Sequence, residues 1–178
     1  MTLVERIVAI HRSLWDASVR HAFGGALALA WCTERARGTI DIDVNLFVGL
    51  DEIERALDGL PDDITVSADD RADLERDGQT RLWWDATPVD VFFNTTEFHR
   101  QVARRARVEA FAGEQVPFLA CRDLAVFKAF FDRTKDWADL EEMAAAGTLD
   151  VPAVLGELAV RLGGTDQRIE RLRSLARD

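Results

Sequence analysis

The sequence is poor in cysteine and has no long apolar run. Its two cysteines, Cys32 and Cys121, lie far apart and lack the paired spacing of a zinc site, which argues against a secreted disulfide scaffold and favours a reducing compartment. The longest apolar run, residues 22–32, is too short and contains too much glycine to span a bilayer. No basic stretch followed by an apolar block marks a signal peptide. We therefore expect a cytoplasmic protein that does not bind membranes.

Positive charge is also scarce. The formal net charge is −10, which disfavours a protein that coats nucleic acid through charge alone, although a local basic groove stays compatible with it. Of the 22 basic residues only Lys128 and Lys135 are lysine. A compact ammonium and a planar guanidinium are not interchangeable at a phosphate, so these two lysines attract attention; the alternative is chance retention in an arginine-rich sequence.

Apolar residues, in contrast, are plentiful. They make up 48% of the 178 residues, enough for the core of a single domain. Their periodicity predicts an α+β fold: a mixed-sheet core over residues 1–118, and a helical C-terminal subdomain over residues 119–178 that packs on this core as one compact unit. Helices are predicted at 3–14, 26–33, 51–60, 95–107, 122–132, 135–146, 152–162 and 166–177. Strands are predicted at 21–23, 39–48, 64–67, 80–84 and 89–93, with a hairpin at 108–118 around a glycine and acidic loops between the middle strands.

The strand at 39–48 has an acidic face. Its apolar face is predicted from alternation at Ile40, Ile42, Val44, Leu46 and Val48. Because residues i and i+2 of a strand share a face, Asp41 and Asp43 project together, and Asp90 can reach them from a neighbouring strand. Three converging carboxylates repel one another and require a cation, and hard oxygen ligands favour Mg²⁺. The alternative is the solvated face of an ordinary strand in an acidic protein.

A glycine pair precedes this strand by one helix. Gly24 and Gly25 lie where a short strand passes into a helix, which predicts backbone N–H groups directed at an anion such as a triphosphate. A glycine pair is equally an ordinary tight turn. Its place directly upstream of the acidic strand favours the functional interpretation.

These features resemble a known family. The segment 21–48, HAFGGALALAWCTERARGTIDIDVNLFV, is similar to the opening of minimal nucleotidyltransferases of the DNA polymerase β-like superfamily, in which a Gly-Gly turn, a helix and an Arg-x-Thr-x-Asp-x-Asp strand follow in this order. The segment 128–139, KAFFDRTKDWAD, resembles a helical motif of the AbiEii-type branch, which contains toxins of bacterial toxin–antitoxin systems. The resemblance covers residues 20 to 140 and is carried in the middle region by Asp90 alone.

The resemblance implies specific roles. Asp41, Asp43 and Asp90 would bind Mg²⁺, as two ions once an NTP is bound, and Asp90 would help to deprotonate the attacking hydroxyl. Lys128 would contact the triphosphate as a catalytic residue. The implied nucleotide-binding residues are Gly24, Gly25, Arg37, Thr39, Lys128, Lys135 and Asp136. Asp136 and Asp139, three residues apart on a helix, would orient the basic groups, or else form only surface ion pairs.

We accordingly expect an enzyme that transfers NMP from an NTP to an RNA acceptor, the tRNA 3′ end, as the toxin of a toxin–antitoxin pair with a cognate antitoxin protein. Two alternatives stay open: transfer to a small-molecule hydroxyl such as that of an antibiotic, and a non-catalytic nucleotide-binding, antitoxin-like module. Thr39 shares the acidic face, so its phosphorylation would block NTP entry.

Two further segments could contact an acceptor. Four arginines at Arg100, Arg104, Arg105 and Arg107 form either an RNA-binding or partner-binding patch or a solvated helix face. Of the adjacent Trp83 and Trp84, one is expected in the core, because neighbouring strand residues point in opposite directions, and the other could stack on a base.

Overall fold

The computed structural model describes residues 1–94 and 96–175, which form helices and one mixed sheet and confirm the predicted α+β class. The helices are α1 Leu3–Asp16, α2 Gly25–Thr33, α3 Ile53–Asp58, α4 Ala68–Asp77, α5 Glu97–Arg105, α6 Cys121–Phe131, α7 Thr134–Ala145, α8 Val151–Leu162 and α9 Gln167–Ser174. The strands are β1 His21–Phe23, β2 Ile42–Leu46, β3 Ile64–Thr65, β4 Gln79–Trp84, β5 Thr87–Phe93, β6 Arg107–Phe111 and β7 Glu114–Phe118. Within these described ranges, no helix is long and apolar enough to cross a membrane.

The sheet has the strand order β3-β4-β5-β2-β1-β7-β6. The pairs β2–β5 and β1–β7 are parallel, and the remaining pairs are antiparallel. In the central strands, Val44, Leu46, Val89 and Val91 are fully buried. Since side chains alternate between the two faces of a strand, this burial sets the acidic residues of β2 and β5 on the opposite face.

The chain divides into two compact units. The first comprises residues 1–27 and 38–119 and contains the whole sheet; the second comprises residues 28–37 and 120–178 and contains α6 to α9. The helix α2 begins in the first unit and ends in the second. The grouping of residues 28–37 with the later helices had no signal in the sequence pattern. The predicted boundary after residue 118 therefore stays a prediction.

Two predicted elements differ from the structure. The acidic strand is shorter than expected: β2 begins at Ile42, and Ile40, predicted on the buried face, is 81% exposed. The acidic stretch predicted as a loop contains α4. Ser67 caps that helix, accepting a hydrogen bond from the N–H of Asp70 and donating its own N–H to the Asp70 carboxylate. This reciprocal capping stabilises a helix that buries only one side chain, Leu74, and so has almost no apolar periodicity.

Other predictions agree closely with the structure. The hairpin predicted at 108–118 is β6 and β7, which pair antiparallel. The four helices predicted after residue 121 are α6 to α9, with ends displaced by a few residues. Thr95, predicted to begin a helix, and residues 176–177, predicted to end the last one, lie outside the described residues.

The two cysteines are paired. Cys32 at the end of α2 and Cys121 at the start of α6 form a disulfide with 5.5 Å between their Cα atoms. Their separation of 89 residues along the sequence gave no sign of this pairing, because separation along the sequence does not set separation in the fold. One bridge between two helices of a chain with a large apolar core is still unlike a disulfide-dense scaffold. The cytoplasmic location stays a prediction.

A buried histidine pair joins α1 to β1. The Nδ1 of His21 lies 2.9 Å from the Val19 carbonyl, so it carries the proton and donates. The Nε2 of His21 then accepts from Nδ1 of His11, also at 2.9 Å. Burial lowers the pKa of both rings, that of His21 to about 4. The two rings are therefore neutral near pH 7.

We expect this pair to make the fold sensitive to acid. Because the pKa of His21 falls from 6.5 to about 4 on folding, the unfolded chain takes up a proton over this range and the folded chain does not. The free energy of unfolding then decreases as the pH falls from 6.5 to 4, by about 3 kcal/mol in total for this ring. Denaturant titrations across this pH range should show that the free energy of unfolding decreases less steeply with falling pH for His21→Gln than for wild type. His99→Gln, a change in α5, should show the same pH dependence as wild type. The same pH dependence for all three proteins would contradict the prediction.

Candidate active site

The acidic residues of β2 and β5 are brought together by parallel pairing. Asp43 of β2 lies directly opposite Asp90 of β5 in the register, and both are partly exposed. Asp41 precedes β2 by one residue and is also partly exposed. The prediction that Asp90 reaches the Asp41 and Asp43 pair from a neighbouring strand is therefore confirmed for its position. The metal-binding and catalytic roles of the three residues stay predictions.

Thr39 contacts this acidic cluster, which we define as Asp41, Asp43 and Asp90. Its hydroxyl donates a hydrogen bond to Oδ1 of Asp41, and the N–H of Asp41 donates to the same hydroxyl at 3.3 Å. These bonds join two residues on either side of a bend just before β2. They hold one carboxylate of the cluster in place without any help from the sheet ladder.

Arg81 is the residue that sequence reasoning missed. It lies on β4 directly opposite Asp90 and forms a two-pronged ion pair, with Nε 2.7 Å from Oδ1 and Nη2 2.7 Å from Oδ2. Hydrogen bonding to Asp90 raises the pKa of Arg81 and burial opposes the rise, while the charges of Asp90, Asp41 and Asp43 add to it. All three carboxylates of the acidic cluster therefore stabilise the positive charge of the Arg81 guanidinium.

The turn between β4 and β5 sets the position of Arg81. β4 ends at Trp84 and β5 begins at Thr87, so two residues, Asp85 and Ala86, connect them. A two-residue connection fixes the register of a hairpin, and counting back from the turn places Arg81 opposite Asp90.

The acidic cluster has the right donors for Mg²⁺, which prefers carboxylate oxygens. The guanidinium of Arg81 already supplies one positive charge to it. In residues 1–94 and 96–175, however, no group of three His, Cys, Asp or Glu side chains is arranged to hold a metal ion. The donor chemistry thus fits the ion, while the carboxylate of Asp90 is oriented toward Arg81.

The glycine pair lies against Asp43 of β2. The N–H of Gly24 donates to the carbonyl of Asp43 at 2.9 Å, so it extends the pairing of β1 with β2 and does not face a phosphate. Gly25 has a φ of +52°, and a Cβ there would collide with the Asp43 carboxylate. The glycine at 25 therefore lets the first turn of α2 approach that carboxylate. Phosphate binding by the N-terminus of α2 stays a prediction.

The second unit contains an ionic cluster in which Lys128, Asp136 and Asp139 are buried and the two arginines, Arg37 and Arg133, are exposed at its edge. The Nζ of Lys128, on α6, lies 2.5 Å from Oδ2 of Asp139 and 3.6 Å from Oδ1 of Asp136, both on α7. Lys128 is 7% exposed and both aspartates are buried. Arg37 pairs with Asp139, and Nε of Arg133 lies 2.6 Å from Oδ2 of Asp136. The prediction that the two aspartates orient the basic groups agrees with these contacts, and the surface ion-pair alternative is wrong for Lys128.

Lys128 stabilises the fold, because it is buried and compensates the charges of two buried aspartates. Replacing it by methionine leaves Asp136 and Asp139 buried with less compensation, so we expect a loss of about 3 kcal/mol in the free energy of unfolding. Equilibrium denaturation measures the loss. Lys135, the other lysine, is exposed, and Lys135→Met should change stability by less than about 0.5 kcal/mol. Equal stability for the two variants would show that the buried pair contributes nothing.

The structure shows which residues of the two segments predicted to contact an acceptor, the tryptophan pair and the arginine segment, are exposed or paired. Trp84 is 3% exposed and belongs to the core, whereas Trp83 is 48% exposed. Trp83 lies two residues from Arg81 on β4, so it shares that strand face. In the arginine segment, Arg100 pairs with Glu97, and Arg107 pairs with Glu109 at 2.6 Å. These acidic partners reduce the positive potential that an RNA-binding patch would need.

The fold is similar to solved nucleotidyltransferases. The crystal structure of ANT(2'')-Ia in complex with adenylyl-2''-tobramycin matches with a TM-score of 0.57 at 12% identity, over 99% of this chain and 98% of that chain. The solution structure of the antibiotic-resistance factor ANT(2'')-Ia gives 0.56 at 12% identity, over 98% and 90%. An antigenic nucleotidyltransferase-like protein from Paracoccidioides brasiliensis gives 0.53 at 14% identity, over 95% and 92%. No protein-family model matches the sequence, and a comparison with curated proteins found no match. The chain thus has a nucleotidyltransferase-like fold, as the resemblance to the polymerase β-like superfamily predicts.

Proposed function

We propose that the chain is a nucleotidyltransferase that transfers a nucleoside monophosphate from an NTP to an acceptor hydroxyl. The observation that carries the proposal is the register of Asp43 opposite Asp90, with Asp41 just before β2, at partly exposed positions of two strands whose opposite side is core. Folding alone gains nothing from placing three like charges together. The non-catalytic alternative is disfavoured for this reason.

Asp41, Asp43 and Asp90 would hold Mg²⁺, as two ions once the nucleotide is present. An ion held there would supply the positive charge that offsets the negative charge of the triphosphate. Asp90 accepts the proton of the acceptor hydroxyl at a carboxylate oxygen. The acceptor oxygen then bonds to the α-phosphorus, the bond from this phosphorus to the bridging oxygen of the β-phosphate breaks, and pyrophosphate leaves with the electron pair. The products are the nucleotidylated acceptor and pyrophosphate.

A small hydroxyl-bearing molecule is the acceptor that we infer. The chain carries a net charge of −10, and the arginine segment predicted to bind RNA pairs in part with its own acidic residues. ANT(2'')-Ia, whose bound adenylyl-2''-tobramycin is a nucleotidylated antibiotic, matches the fold over nearly the whole chain. A negative surface attracts a cationic acceptor such as an aminoglycoside, and it repels the phosphates of RNA.

The acceptor is tested by incubating the protein with Mg²⁺, α-labelled NTPs and either an aminoglycoside panel or total tRNA. We expect label to move to a small acceptor in a reaction that contains no RNA. Label that appears only in tRNA would reject the small-molecule acceptor and leave the reaction class intact. The Asp41→Asn variant is the negative control with the aminoglycoside panel and with total tRNA.

Transfer to an RNA end, as the toxin of a toxin–antitoxin pair, is the second candidate. It is favoured by the segment 128–139, in which the motif residues Lys128, Asp136 and Asp139 do form one buried cluster. The tRNA 3′ end, the cognate antitoxin and the nucleotide contacts of Arg37, Lys128, Lys135 and Asp136 stay predictions. Growth arrest on expression, absent for Asp41→Asn, together with label in tRNA, would support this candidate.

Phosphorylation of Thr39 also stays a prediction, and the local contacts give it a mechanism. The Thr39 hydroxyl donates to the Asp41 carboxylate, so a phosphate there would replace a hydrogen-bond donor with about two negative charges. We expect Thr39→Glu to lower transfer strongly, whereas Thr39→Val should lower it less because it adds no charge. Transfer assays on purified variants would show this ordering, and full activity in Thr39→Glu would contradict it.

A further inference from the structure

Arg81 occupies the place of a cation in the acidic cluster. Its guanidinium is bonded through two nitrogens to the two carboxylate oxygens of Asp90, whose side chain is 19% exposed. The side chain of Arg81 itself is 50% exposed. One end of the ion pair is therefore fixed on the sheet, while the other can swing into solvent.

A metal ion and Arg81 compete for the same carboxylate. A divalent ion on the oxygens of Asp90 would lie beside a guanidinium that is already hydrogen-bonded to them, and the two positive groups repel. Because the charges of Asp41 and Asp43 also act on Arg81, the competition extends to the whole acidic cluster. The ion therefore binds fully only when the guanidinium moves away.

The triphosphate of a nucleotide offers Arg81 another partner. A planar guanidinium binds a phosphate through two parallel hydrogen bonds, in the same way that it binds a carboxylate. Resting on the proposed nucleotidyl transfer, we propose that Arg81 is a counter-ion that leaves Asp90 for the triphosphate of the incoming nucleotide. The exchange frees Asp90 for the metal and links metal binding to nucleotide binding.

This exchange predicts opposite effects on two ligands. Without the guanidinium, Mn²⁺ alone should bind about tenfold more tightly, since its competitor is gone. Inorganic tripolyphosphate, measured at saturating Mn²⁺, should bind about tenfold more weakly, since one charge-assisted contact is lost. A residue that only supports the fold would move the two affinities in the same direction or leave both unchanged.

The experiment titrates Mn²⁺ by electron paramagnetic resonance, and labelled tripolyphosphate by equilibrium dialysis, against wild type and Arg81→Met. Arg76→Met is the matched control, because Arg76 is also exposed and paired with two carboxylates, Asp73 and Asp77, but lies on α4. Arg81→Lys keeps the positive charge but cannot bond to both oxygens of Asp90 through a planar guanidinium. Its Mn²⁺ affinity should therefore lie between those of wild type and Arg81→Met. Circular dichroism checks the fold of each variant.

The inference is supported if Arg81→Met gains Mn²⁺ affinity and loses tripolyphosphate affinity, while Arg76→Met matches wild type. It is overturned if Arg81→Met and Arg76→Met bind Mn²⁺ equally, if tripolyphosphate affinity is unchanged, or if none of the proteins binds Mn²⁺. The proposed function is judged separately by nucleotidyl transfer in wild type and Asp41→Asn. Opposite shifts in the two affinities without any transfer would reject that function alone.

Discussion

Replacing Asp43 by asparagine should abolish transfer while the fold stays intact. Asparagine has nearly the same shape as aspartate but lacks the negative charge that a metal ligand needs, so we expect a loss of about 10³-fold in kcat/KM. Removing one of three neighbouring negative charges also relieves repulsion, so the thermal midpoint should be unchanged or higher. Steady-state kinetics and thermal unfolding on the same preparation measure both quantities.

The matched control is Asp63→Asn, an exposed aspartate of the first unit outside the acidic cluster. It removes the same charge from the protein and should keep wild-type kinetics. A loss of activity common to both variants would point to net charge instead of the cluster. Wild-type activity in Asp43→Asn would contradict the catalytic assignment of β2.

Gly25→Ala should be the second variant with a large effect. The added Cβ would collide with the carboxylate of Asp43, and the φ of +52° disfavours any side chain at this position. Either the start of α2 or the Asp43 side chain must move. Because displacements near 1 Å reduce catalysis by about 100-fold, we expect at least that loss of transfer.

Backbone strain and collision can be separated with Gly113→Ala. Gly113 has a φ of +87°, and a Cβ there would meet nothing within 4 Å. This control should lose about 1 kcal/mol of stability through backbone strain and keep its activity. If Gly25→Ala and Gly113→Ala behave alike, the contact of Gly25 with Asp43 does not matter for function.

The sequence predicts the central strands well because their two faces differ so strongly. Period-two alternation in β2 identifies Asp43 as polar-facing, and the same alternation around Asp90 identifies β5. It does not show that the strands are parallel neighbours with these residues in register, because pairing partners are set by the topology of the whole chain. The pattern predicts only that Asp90 can reach Asp41 and Asp43 from a neighbouring strand.

Three features escaped prediction for physical reasons. Arg81 was missed because a strand arginine reads as an ordinary solvent-facing residue until the hairpin register places Asp90 opposite it. The helix α4 buries only Leu74, so apolar periodicity could not reveal it, although its Ser67 and Asp70 capping pair could have. The alternation predicts Ile40 on the buried face because the pattern continues past the point where the strand begins, at Ile42.

The role of Gly24 shows the limit of motif reasoning. A Gly-Gly turn before a helix predicts N–H groups for a phosphate, yet the Gly24 N–H is used by the Asp43 carbonyl. Lys128 shows the same limit in the second unit. Its motif predicts a phosphate contact, and its burial against Asp139 adds a stabilising role that the motif does not contain.

The position of the transferred label tests the central claim most directly. The protein is incubated with Mg²⁺, the acceptor panel and an NTP labelled at either the α- or the γ-phosphorus. Nucleotidyl transfer predicts that α-label enters the acceptor, that γ-label leaves as pyrophosphate, and that Asp43→Asn does neither. Label from the γ-phosphorus in the acceptor, or equal α-label with wild type and Asp43→Asn, would contradict the account.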